Sequence, residues 1–192
     1  MNSKELAYLL AAALAVTVVA IPIWAGSRLK VGPEDRVLLL GDSLAQGLSR
    51  PMSQLAEADG IWFVGDGRVS TRLDQWLDGG WAQEAISQYR PTLVIVSLGT
   101  NDGAAPSLMP AFAGRAASFV AMAQAMGAKV LWVVPPTMPA RIDVATVRAS
   151  VEQSGAAIFD SSEIDVERGP DQIHPTIAGN SAWASAIWRT IT

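Results

Sequence analysis

The chain has no cysteine and only one histidine among its 192 residues. Without cysteine there is no disulfide argument for or against an oxidising compartment, and thiolate metal sites are excluded. With one histidine, a zinc cluster would need mostly carboxylates, so no metal is expected. Positive charge is scarce as well. Fourteen Lys and Arg stand against eighteen Asp and Glu, a net charge of −4, and no basic run of five occurs. Nucleic acid is therefore a poor partner. Neither Gly-x-Gly-x-x-Gly nor a phosphate loop with lysine follows the first apolar strand, which weakens a nucleotide-binding reading.

Charge is also missing from the beginning of the chain. From Leu6 to Ser27 no residue carries charge at neutral pH, and Leu6 to Ala25 is almost wholly apolar. Twenty such residues in a helix reach about 30 Å, the thickness of the hydrocarbon core of a bilayer. Residues 1–30 are set apart as a membrane anchor or a cleaved signal segment, and residues 31–192 as one domain. The apolar region of a cleaved signal usually spans about 7 to 15 residues, so the length favours a retained anchor through residues 6–25. Lys4 precedes the span while Arg28, Lys30 and Arg36 follow it. Basic residues alone thus lean toward a cytoplasmic domain.

What the rest of the chain has is alternation. Val37–Leu40, Ile61–Val64, Leu93–Leu98, Val130–Val134 and Ala157–Phe159 are continuous apolar runs that read as five buried strands, the second closed by Gly65. Helical stretches separate them. Leu44, Leu48, Met52 and Leu55 share one helical face, with Pro51 expected to restart the helix. Further helices are expected over Trp81–Gln88, Ala111–Met126, ending before Gly127, and Val144–Gln153. Ala184, Ile187, Trp188 and Ile191 mark a last one. Strand–helix alternation with buried strands predicts an α/β fold, a parallel five-stranded sheet between two helical layers. In such sheets ligands bind outside the carboxyl ends of the strands. Ser43, Ser70, Asn101 and His174 follow four of those ends and belong on one rim.

The lone histidine carries chemistry on that rim. His174 lies three residues after Asp171, and Ser43 waits about 130 residues upstream in Gly41-Asp42-Ser43-Leu44. A serine hydroxyl is a weak nucleophile until a base takes its proton. An imidazole does so near neutral pH, and a carboxylate fixes its tautomer. Ser43 alone reads equally well as a helix N-cap. Asn101, in Gly99-Thr100-Asn101-Asp102, offers an amide to a developing oxyanion, although this tetrapeptide alone reads as a turn. Asp42 and Asp102 read as structural carboxylates that hold loops by accepting from nearby amides. Arg68 is either solvated or meets an anionic substrate; Trp76 and Trp81 either pack in the core or flank the cleft.

Over residues 36–191 the chain resembles the SGNH hydrolases, the GDSL esterases and lipases. Gly-Asp-Ser-Leu at 41–44 resembles the first block of that family, Gly-Thr-Asn-Asp at 99–102 its third, and Asp-Gln-Ile-His at 171–174 its last. The resemblance implies a flavodoxin-like three-layer α/β/α fold with no obligatory cofactor. It implies Ser43 as nucleophile, His174 as base, Asp171 as its orienter, and Asn101 with the Ser43 amide as oxyanion donors. The second block departs from the pattern: where the family has a glycine whose N–H completes the oxyanion hole, this chain has Ser70, with Gly67 the alternative.

The expected activity is serine ester hydrolysis through an acyl-enzyme, on a short acyl ester, a glycan ester or a lipid. No long insertion suggests a lid, and the loops Pro135–Arg141 and Ser161–Pro170 are expected to shape the cleft. A short N-terminal anchor before a hydrolase-like domain commonly serves export, so a periplasmic or extracellular domain is expected, secreted if the segment is cleaved. Two rival readings share the fold: an acyltransferase using the same triad, and a non-catalytic glycan- or lipid-binding module. The sequence does not specify an oligomeric state.

Overall fold

The computed structural model describes residues 29–162 and 164–192. Five parallel strands, β1 (Arg36–Gly41), β2 (Trp62–Gly67), β3 (Leu93–Ser97), β4 (Lys129–Val134) and β5 (Ala157–Asp160), form one sheet in the order β2-β1-β3-β4-β5. The helices are α1 (Ser43–Ala58), α2 (Leu73–Asp78), α3 (Trp81–Tyr89), α4 (Thr100–Gly103), α5 (Met109–Ala125), α6 (Val144–Glu152) and α7 (Ile177–Ile191).

Strand side chains alternate between two cores, which is why the apolar runs are continuous. Leu38, Leu40, Val94, Val96 and Trp132 face α2, α3, α5 and α6, where Trp76, Ile86, Phe112, Phe119 and Val147 meet them. Val37, Leu39, Leu93, Ile95, Leu131 and Val133 face α1 and α7, meeting Leu44, Leu48, Met52, Trp183 and Ile187. Two helical layers over one parallel sheet make the three-layer architecture. The expected apolar helix at residues 6–25 lies outside the described residues. Among those described, no helix is long and apolar enough to cross a membrane.

Three local expectations are corrected. Helix α1 runs unbroken through Pro51. A proline inside a helix costs about 3 kcal/mol, but Leu44, Leu48, Met52 and Ala56 are fully buried along one face and hold both halves to the sheet. Strand β2 continues past Gly65 to Gly67, because pairing with β1 persists to Gly41. As an edge strand it is only half-buried. Helix α2 carries no periodic apolar signal long enough to read; the Arg72 N–H donating to Gln75 Oε1 at 2.9 Å and the burial of Leu73 and Trp76 hold its six residues.

Two close approaches position the carboxyl end of β1. A Cβ on Gly41 would collide with the carbonyl oxygen of Ser97 on β3, and one on Gly67 with the backbone of Gln46 in α1. Glycine lets β1, β3 and the first turn of α1 pack at backbone distance. At the other end of the sheet the chain enters beside its own C-terminus. The Val31 N–H donates to Ile191 O at 2.7 Å, and Lys30 Nζ donates to Thr192 O at 2.7 Å.

Gly41→Ala is expected to destabilise the fold by about 1–3 kcal/mol, the usual cost of forcing an extra carbon into a packed interior. Thermal unfolding should show a midpoint lower by roughly 4–10 °C; an unchanged midpoint would contradict the close packing of β1 on β3.

Candidate active site

The strand order reverses between β1 and β3, and both adjacent strands end at the same rim. Helix α1 follows β1 after one residue. Asp42 is its N-cap, accepting from the Leu44 N–H at 2.9 Å. Ser43 is the first helical residue, so its N–H has no acceptor within the helix. The structure places Ser43 Oγ 2.8 Å from His174 Nε2, and His174 Nδ1 2.6 Å from Asp171 Oδ2. An ionised carboxylate only accepts, so the imidazole proton sits on Nδ1 and the Nε2 lone pair faces the Ser43 hydroxyl.

A tight turn delivers Asp171 and His174. Asp171 Oδ1 accepts from the N–H groups of Ile173 and His174 at 2.9 and 3.0 Å, and Gln172 takes a left-handed φ of 61° to allow it. Arg168 secures the turn, donating to Ile173 O at 2.8 Å and across to the Thr137 carbonyl. The hydrogen bond from the His174 ring, with the two backbone donors, holds the Asp171 carboxyl well below the usual range. Both side chains are about half exposed, at 49%.

Ser70 and Asn101 hang from neighbouring strand ends. Beyond β2, the Arg68 N–H donates to Gly41 O at 2.8 Å and ties the 68–71 turn to β1. Within that turn Ser70 has a φ of 60°, the left-handed region that favours glycine, and is exposed. Among the described residues its N–H makes no hydrogen bond. Gly67 lies inside β2, where packing against Gln46 accounts for it. Asn101, in the first turn of α4, donates to the Thr71 carbonyl at 2.8 Å.

Two carboxylates are buried beside this machinery. Asp42 is fully buried and one of its oxygens has no partner. Burial pushes its carboxyl up to about 7, against the lowering effect of the Leu44 N–H, and the nearby Asp102 adds to the rise. Asp102 is pushed to about 6, again chiefly by burial, while both its oxygens accept from the Leu73 N–H. Both serve the loops they hold. Arg68 pairs with Asp66 through two hydrogen bonds and lies over Trp76 and Trp81 at 4.9 and 4.6 Å. Trp76 is core and Trp81 packs edge-on against it at 5.8 Å.

A cavity of about 330 Å³ opens at Ser43, lined also by Gln46, Gly47, Val69, His174, Pro175 and Asn180. The loop Pro135–Arg141 does not line it. Thr137, Met138 and Ala140 border another cavity of about 560 Å³ at the ends of β4 and β5, with Ser162 on its far wall. The expected cleft loops therefore shape that second hollow. Sequence reasoning passed over Arg168, Gln172 and Thr71, since an arginine, a glutamine and a threonine in loops carry no pattern of their own.

A model of the GDSL-like lipase/acylhydrolase family matches residues 39–182, three quarters of the chain. The chain belongs to this family. Membership places it among esterases and acylhydrolases, enzymes that cleave acyl esters. No curated protein matches it in sequence. Solved structures share the family's fold at low identity. An acetylxylan esterase from Geobacillus stearothermophilus matches with a TM-score of 0.69 at 16% identity, over 84% of this chain and 95% of that one. An alpha/beta hydrolase enzyme from the metagenome of Lake Arreo in Spain gives 0.69 at 15%, over 84% and 97%. A lipase/acylhydrolase from Enterococcus faecalis gives 0.65 at 16%, over 80% and 94%.

The raised carboxyl of Asp42 makes a signed prediction. Its folded form binds the proton more tightly than the unfolded chain, so this group erodes stability as pH climbs from about 4 to about 7. Asn keeps an oxygen for the Leu44 N–H and carries no charge. Asp42→Asn should melt at least about 3 °C higher than the parent at pH 8, with the gap closing toward pH 4. Thermal unfolding across that range checks it, and a gap that widens in acid would refute it.

Proposed function

We propose that this domain hydrolyses carboxylic esters of short acyl groups through an acyl-enzyme on Ser43, with His174 as base and Asp171 as its orienter. One observation carries the reading: hydrogen bonds run from Asp171 Oδ2 through the His174 ring to Ser43 Oγ, at 2.6 and 2.8 Å. Ser43 Oγ attacks the acyl carbon while its proton passes to His174 Nε2. The N–H groups of Ser43 and Ser70 and the second amide proton of Asn101 receive the oxyanion. Collapse expels the alcohol with the proton from His174, and water releases the acid by the same path. The left-handed φ of Ser70 supports it over Gly67 as the second donor.

The substrate reading follows from size and openness. A cavity of about 330 Å³ suits an acetyl or similarly small acyl group, and a half-exposed triad admits a bulky alcohol such as a glycan. The shared fold with an acetylxylan esterase is in keeping with this. Anchoring through residues 6–25, with the domain exported, belongs to the same proposal and would bring it to envelope or extracellular esters.

Purified protein should cleave aryl acetate faster than aryl esters of long-chain acids. Ser43→Ala should lower kcat by about 10⁴-fold or more, and Asn101→Ala by about 10²-fold with KM little changed. Wild-type turnover by Ser43→Ala would end the proposal, and a preference for long chains would end its short-acyl part.

A further inference from the structure

Two of the oxyanion donors assigned above come from different strand ends, and one buried residue joins them. Thr71 is 7% exposed. Its carbonyl accepts one Asn101 amide proton at 2.8 Å. Its hydroxyl donates to Arg68 O at 2.7 Å and accepts from Trp76 Nε1 at 3.0 Å. Its N–H also points to Arg68 O, at 3.4 Å. The turn closed by these bonds contains Ser70, whose φ of 60° is strained for a residue with a side chain.

We infer that Thr71 is a positioning residue: through its carbonyl and hydroxyl it sets the Asn101 amide and the Ser70 N–H in register for one oxyanion. This rests on the Ser43 reading above. A carbonyl only accepts, so the Asn101 group beside it is the NH₂, and its remaining proton is fixed in direction by the first. The hydroxyl's single proton is spent on Arg68 O, and its lone pair on the indole of Trp76, which is fully buried in the core. The strained turn is thereby bolted to an immobile ring. Arg68, held over the same ring and bonded to Asp66, steadies the other end of the turn. Oxyanion donors act only when placed within tenths of an ångström of the developing charge, so a loosened turn costs turnover rather than substrate binding.

The test compares Thr71→Val, Thr71→Ser and Trp76→Phe with the parent on a short aryl ester. Valine keeps the shape and removes the hydroxyl; serine restores the hydroxyl; phenylalanine removes the indole donor along with part of the ring's volume, so its melting temperature is measured beside its kcat. Thr71→Val should lower kcat by at least about tenfold with KM within about twofold. Its affinity for an aryl boronic acid, which forms a tetrahedral adduct on Ser43, should fall by a similar factor. Thr71→Ser should recover most of both. Trp76→Phe should lower kcat several-fold at unchanged KM, and it decides the matter if Thr71→Val does not fold. Parental kcat in Thr71→Val or in Trp76→Phe overturns the inference, as does a Thr71→Ser variant no better than valine. Ser43→Ala, run alongside, separates the failures: an active Ser43→Ala sinks the nucleophile reading, while an inactive one beside a parental Thr71→Val sinks only this role for Thr71.

Discussion

The row of the sheet in which Gly41 stands level with Gly67 on one side and Ser97 on the other governs everything at the rim. β1 leaves the sheet there with no side chain at its last residue, so α1 starts within one residue, against the backbones of its neighbours. That closeness fixes where Ser43 is presented, lets the Arg68 amide reach Gly41 O, and brings Val69 to the wall of the serine's cavity. A side chain at Gly41 or Gly67 would separate the three strand ends that each supply one part of the site. Backbone packing, rather than any contact between the functional side chains, is the primary constraint.

Local strain gathers around that constraint. Of the three non-glycine residues with left-handed φ among the described residues, Ser70 lies in the turn beside the cavity and Gln172 between Asp171 and His174; Arg90 closes α3. Each of the first two is held by bonds on both sides: Ser70 by the Thr71 clasp, Gln172 by its N–H to Gly169 O and by Arg168 on Ile173 O. The two buried carboxylates add a second kind of tension. Asp42 and Asp102 lie out of water, which raises the resistance of both to ionising, and Asp102 adds to that of Asp42, yet they hold the N-terminus of α1 and the start of α2. Stability is given up here for placement.

The sequence made the sheet legible because burial on both faces leaves long apolar runs: Val37–Leu40 and Leu93–Ser97 need no partner to be recognised. Ser43, Asn101, Asp171 and His174 were legible because short motifs follow strand ends, and a parallel sheet gathers those ends. What escaped depends on contacts between distant segments. Helix α2 exists because Asp102 and Gln75 cap it and Trp76 is buried, and none of these gives a local period. The continuity of α1 through Pro51 is decided by packing on β1 and α7, which outweighs the local rule. The loop at 135–141 looked like a cleft wall, but it lies beyond β4, two strands from β1. Thr71 was invisible: its bonds to Arg68 and Trp76 follow no local pattern, and the fold brings Asn101 to it from beyond β3.

The entry of the chain has a consequence of its own. Lys30 and Val31 are bonded to the last residues of α7, and β1 then runs the full depth of the sheet before Ser43 is reached. Residue 29 thus joins the domain at the end of the sheet opposite Ser43. A support or fusion partner holding the domain there would leave the rim that carries Ser43 and His174 facing outward.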